Sequence, residues 1–188
     1  MIKHLMIALS ITALTGLSPA TGANQTNLSS EKLSLAQSRT KQTPKASLVS
    51  HTKARLGGIS LSMTEAQVRR ILGRPKSVRN ENSPAVGKLR FLQYQDISVG
   101  LVEDVNKPNS FSVYRFSTKS RRYSTPDGIR VGDNRAKVIK AYGQVSPRSR
   151  DRKTYLSYQI DLQDIPAALI FEIEAGRVTE ISCIEQLT

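Results

Sequence analysis

The chain has 188 residues, 28 Lys and Arg against 15 Asp and Glu, a formal net charge of +13 and one cysteine, Cys183. A single cysteine excludes an intrachain disulfide, so the fold has to stand on its apolar core. Only two histidines are present, His4 and His51. Both sit in segments not expected to pack, which removes the usual base for Ser or Cys nucleophilic chemistry.

Residues 1–23 begin with Lys3, continue as an apolar run from Leu5 to Leu17 and end in small residues through Ala23. This pattern reads as a signal peptide cleaved near Ala23. The run is shorter than the ~20 residues a membrane-spanning helix needs. The expected product is periplasmic or secreted, with no transmembrane span after signal cleavage. Cleavage removes Lys3 alone among the charged side chains and leaves 27 basic and 15 acidic residues, a net charge of +12. Such a field draws anionic partners and says little about fold. An envelope protein or an acidic protein surface is the expected partner. Anionic cell-wall polymer or lipid phosphate is the alternative, and nucleic acid is disfavoured for an exported chain. Residues 24–56, rich in Ser, Thr, Gln, Asn and Lys, read as a disordered basic tether.

The next segment carries a tandem signal. Gly58-Ile59-Ser60-Leu61 through Val68 to Gly73 returns as Gly128-Ile129-Arg130-Val131 through Val138 to Gly143, and Phe91-Leu92-Gln93-Tyr94-Gln95 returns as Tyr155-Leu156-Ser157-Tyr158-Gln159. The expected fold class is therefore α+β, two tandem helix-plus-antiparallel-sheet repeats over 57–125 and 126–188. In the first, Thr64 and Gln67 form a capping box ahead of Val68, Ile71 and Leu72, and Gly73 ends a helix of about three turns. Strands are expected over 89–95, 97–103 and 110–117. In the second, Asp133 or Asn134 caps the helix, and Lys137 in place of Gln removes the reciprocal bond. Strands then follow over 154–160, 167–174 and 177–185. Whether all six share one sheet is open on the sequence.

Chemistry is sparse. There is no Gly-rich phosphate loop and no His or Cys cluster at metal spacing, so no cofactor, no metal and no enzymatic activity are expected. Glu172 and Glu174 share one strand face about 7 Å apart and read as solvated carboxylates rather than an acid/base pair. Cys183 reads as a small buried hydrophobe. The candidate binding surface is basic. Arg69, Arg70, Arg74, Lys76 and Arg79 lie on and after the first helix, Arg121 and Arg122 on the crossover, and Arg135, Lys137 and Lys140 on the second helix. Tyr94, Tyr114, Tyr155 and Tyr158 suit either core or contact.

The stretch Gly58 to Val68 with Leu72-Gly73-Arg74-Pro75 resembles the opening helix motif of the BamE/SmpA outer-membrane assembly factors. It is also similar to the repeated unit of the beta-lactamase inhibitor protein family. The first resemblance implies a role in outer-membrane protein assembly or maintenance, although that family has one unit and a lipidated N-terminal Cys that this chain lacks. The second implies joined tandem units that dock on an extracytoplasmic enzyme. The functional expectation is an exported, non-enzymatic binding protein of the bacterial envelope, with outer-membrane assembly first. A secreted enzyme inhibitor and a polyanion-binding module are the alternatives.

Overall fold

A computed structural model describes residues 48–163 and 165–187. The expected signal peptide, and residues 24–47 of the expected tether, lie outside the described residues. The last part of that tether segment belongs to the fold. Strand β1 (Val49–Ser50) is followed by a turn that buries Ala54 and Leu56.

Helix α1 spans Glu65–Leu72. Thr64 accepts a hydrogen bond from the Gln67 amide (3.3 Å), and the Gln67 side chain accepts one from the Thr64 amide (2.8 Å). The box thus satisfies two donors that the first turn leaves free. Gly73 closes the helix at φ 78°, a conformation that costs glycine least. The helix has eight residues rather than three full turns, too few to persist alone. What holds it is Val68, fully buried against the sheet.

Four strands follow: β2 (Ser77–Ser83), β3 (Gly87–Gln93), β4 (Ser98–Asp104) and β5 (Lys107–Thr118). Helix α2 spans Arg135–Tyr142. Asn134 is the cap and accepts from the Lys137 amide at 2.8 Å. Asp133 instead accepts from the Arg130 amide and the Lys137 ammonium. The chain ends with β6 (Arg148–Arg150), β7 (Lys153–Asp161), β8 (Ala167–Glu174) and β9 (Arg177–Glu185).

These strands form one nine-stranded sheet in the order β1-β7-β8-β9-β5-β4-β3-β2, with β6 also beside β7. Only β1 and β7 run parallel. The expectation of two tandem helix-plus-antiparallel-sheet repeats is overturned, because strands from both stretches enter a single mixed sheet that carries, among the described residues, two short helices. The physical cause is the seam. Arg115, Phe116, Ser117 and Thr118 of β5 pair with Ile184, Cys183, Ser182 and Ile181 of β9. Two separate sheets would each leave an apolar strand edge with unpaired backbone groups, and pairing β5 with β9 removes both. The β2 edge that remains is the polar run Ser-Val-Arg-Asn-Glu-Asn-Ser, the composition that protects an exposed edge.

Both helices lie on the same face of the sheet. Arg90 of β3 bonds Glu65 of α1 at 2.6 Å, while Tyr142 of α2 packs its ring 5.4 Å from Tyr158 of β7 and 5.3 Å from Phe171 of β8. Between helices and sheet sits one core that includes Leu92, Val99, Leu101, Val113, Phe116, Leu156, Leu169, Ile181 and Cys183. Each fully buried Leu, Val or Phe contributes about 1.5–3 kcal/mol.

Candidate functional site

Because side chains alternate across a strand, the register that sends the core inward sends a second set to the opposite, open face. Those residues are half-buried or exposed, whereas Leu92, Leu101, Val113, Leu156 and Leu169 on the other face are buried. On this face lie Leu89, Phe91, Val102, Tyr155 and Ile170, interleaved with Ser98, Ser112, Ser117, Ser157 and Ser182. The aromatic side chains Phe91 and Tyr155 are of a type enriched at protein interfaces, whereas the serines between them are of a type depleted there.

One row crosses most of the sheet. Arg79 faces Phe91, Phe91 faces Gly100, Gly100 faces Arg115, Arg115 faces Ile184, Ile184 faces Ala168, and Ala168 faces Gln159. The Arg79 guanidinium carbon stands 4.7 Å from the centre of the Phe91 ring and that of Arg115 5.8 Å. Both are within cation–π range. Gly100 makes this possible, since a β-carbon there would meet Arg115 Cγ at 2.6 Å and Tyr114 Cε1 at 3.0 Å. At the other end of the row, Ala168 and Ile184 floor a groove of about 740 Å³ walled by Val145, Pro147 and Arg148.

Charges on the open face are of mixed sign and mostly paired. Arg79 pairs with Glu81. Lys153 lies 2.9 Å from Glu172, which Thr179 also bonds at 2.8 Å. Partial burial raises the Glu172 carboxyl, but these two hydrogen bonds outweigh it and hold the group below its ordinary range. Glu174 is exposed in register with Arg177. Glu174 is thus solvated as expected, whereas Glu172 is partly buried and held by Lys153 and Thr179.

The ten basic candidates do not share one surface. Arg79 stands on the open face, while Arg69, Arg70, Arg135, Lys137 and Lys140 belong to the helices on the covered side. Arg69 is engaged by Glu65 at 2.7 Å and Lys137 by Asp133 at 2.7 Å. Arg135 is half-buried, with its Nε shielded from solvent. Arg74 and Lys76 are exposed between α1 and β2. On the crossover, Arg121 lies beside Gly132 and Arg122 lies 3.5 Å from Asp96. Of the tyrosines, Tyr94, Tyr114 and Tyr158 are buried and Tyr155 faces outward.

Phe91, expected only as part of the repeated strand, and Gly100 and Arg115 are not among the basic candidates. A signal was present in β5, where Ser110, Ser112, Arg115 and Ser117 alternate with Phe111, Val113 and Phe116. The step at Tyr114 hides it, because a bulge shifts the register between Gly100 and Leu101.

No protein-family profile and no curated protein matches the chain. Among solved structures, a putative beta-lactamase inhibitor protein from Streptococcus mutans shows a distant likeness. It is 14% identical, with 67% of this chain and 84% of that chain covered and a TM-score of 0.29. A likeness of this size decides neither fold nor function. The BamE/SmpA resemblance gains nothing from these comparisons.

Proposed function

We propose that this chain is an exported, non-enzymatic binding protein of the bacterial envelope that docks a folded partner protein on the open face of its sheet. The observation that carries the reading is the face that the described residues leave uncovered: eight strands across, with apolar and serine side chains interleaved and Arg79 and Arg115 held against Phe91. Aromatic and Arg side chains dominate the energetics of protein interfaces. The paired, mixed-sign charges on this face suit a protein surface better than a uniformly anionic polymer.

Among the described residues no helix is long and apolar enough to cross a membrane. A partner from the barrel-assembly machinery would make the chain an outer-membrane assembly factor, and an extracytoplasmic enzyme as partner would make it an inhibitor. The test is affinity capture from cells of its own source with the native chain and with Phe91→Ala and Arg115→Ala. The reading expects one protein partner that is lost with both variants and retained near physiological salt. Capture that survives both substitutions, or that vanishes only as salt rises, removes it.

A further inference from the structure

Two chain segments that lead into the Gly-Ile motifs meet at a second depression, away from the open face. One is the turn after β1, the other the crossover after β5. The depression has a volume of about 650 Å³ and is lined by Arg55, Arg122, Tyr123, three hydroxyl residues (Thr52, Ser124 and Thr125) and backbone of the Gly57-Gly58 pair. Among the described residues no carboxylate lines it. Asp127, next in sequence to the lining residue Pro126, pairs through one oxygen with Lys53 at 3.1 Å, and Asp96 lies 3.5 Å from Arg122.

The walls are built rather than incidental. Gly57 has φ 59°, and a β-carbon on it would overlap the Tyr123 ring at 2.3 Å. The missing side chain therefore lets Tyr123 lie flat against the turn. Arg55 is held by an Nη2 bond to the Gly58 carbonyl at 3.1 Å. A guanidinium has five N–H donors in a rigid fork, and that bond uses one nitrogen. The Arg122 contact with Asp96 likewise uses one. Each arginine keeps donors for a ligand, and the hydroxyls of Thr52 and Ser124 line the same space.

We propose that this depression binds a phosphate group, gripped by the Arg55 and Arg122 forks with Ser124 as a further donor. Two forks and a hydroxyl supply more donors than the two oxygens of a carboxylate accept, and the planar fork matches phosphate oxygens in pairs. The group could belong to free inorganic phosphate or to a lipid headgroup, since the chemistry is the same. The site goes beyond partner docking on the sheet and stands or fails separately from it.

The experiment uses the mature chain at ~0.15 M salt, where surface attraction is screened beyond about 8 Å. Binding is measured by calorimetry to inorganic phosphate and by co-sedimentation with phosphatidylcholine vesicles with and without phosphatidic acid. Arg55→Gln and Arg122→Gln should each weaken binding at least tenfold. Arg150→Gln, on exposed β6, should leave it unchanged. Because Arg55 also anchors its turn, Ser124→Ala serves as a second probe, with a smaller loss expected and the ligand-free melting temperature unaltered. Saturable binding of inorganic phosphate alone assigns the free ion as ligand, and binding to phosphatidic acid vesicles alone assigns the headgroup. Equal weakening by Arg150→Gln, wild-type affinity in the Arg55 and Arg122 variants, or no binding to either probe would overturn the proposal.

Discussion

Gly100 and Arg115 face one another across the β4–β5 ladder, and the glycine has no side chain because the arginine occupies that space. The stem of Arg115 crosses β4 there and brings its guanidinium to Phe91 on β3. Gly100→Ala should displace Arg115 from the ring. Its stability effect sets the roughly 0.5–1 kcal/mol a strand gains when Gly becomes Ala against the shift forced on the Arg115 stem and the buried Tyr114 ring. Partner capture should fall much more than the urea midpoint, and equal capture by the variant would separate Arg115 from the docking surface.

The capping box of α1 makes a second prediction. Thr64→Ala removes the acceptor for the Gln67 amide and should cost about 0.5–2 kcal/mol. Asn134→Ala, which removes the corresponding acceptor for α2, should cost a similar amount. Urea unfolding of each variant reads the values directly. A loss under 0.3 kcal/mol in both would show that packing alone holds the helices.

The seam between β5 and β9 should govern cooperativity. A fragment ending at Ser124 leaves Phe116 and Thr118, both buried in the full chain, on an open strand edge. It should show no cooperative thermal transition. Within the full chain, Phe116→Ala should cost about 3–5 kcal/mol. A sharp transition in the fragment would mean that the first half folds without its partner strands.

Stability should fall in acid through Glu65. Burial raises its carboxyl, but the hydrogen bonds from Arg90 and Arg69 prevail and hold it below its ordinary value. A depressed folded pKa gives stability that is fully present above the unfolded value of ~4.3 and is lost as pH falls through the folded value. Glu65→Gln should therefore lower the urea midpoint at pH 7 and flatten its decline below about pH 4.3. An unchanged acid slope would place the sensitivity elsewhere, with Glu172 next.

Cys183 should be inert. It is 1% exposed, its burial pushes the thiol pKa up, and its Sγ lies 3.7 Å from the Ala54 carbonyl. A thiol reagent at pH 8 should label it only after denaturant is added. Rapid labelling of the native chain would show that the β5–β9 seam opens on the time scale of the assay.

Much of this fold could be read locally, and the pairing could not. Strands β8 and β9 have the bounds expected, because buried Ala167, Leu169, Phe171 and Ile173 alternate through β8 and Val178, Ile181 and Cys183 mark the inner face of β9 on either side of one irregularity. Strand β2 was missed because an edge strand needs no apolar alternation, and its one large hydrophobe, Val78, is itself exposed. Strand β6 is Arg-Ser-Arg and carries no strand signal. Strand β1 looked like tether because its place depends on β7, far along the chain. The two-repeat expectation failed for the same reason: the β5–β9 seam is a non-local pairing that no local period encodes. The candidate surface followed charge, whereas the open face is defined by which side the helices leave bare.

The central claim is that the bare face of the sheet meets the partner. A photo-crosslinking residue placed at Ser112 or Ser182, both on the open face, should capture one protein in intact cells. The same residue at Ala136, exposed on α2 across the sheet, should not. Capture from Ala136 with none from Ser112 and Ser182 would contradict the account and move the interface to the helices.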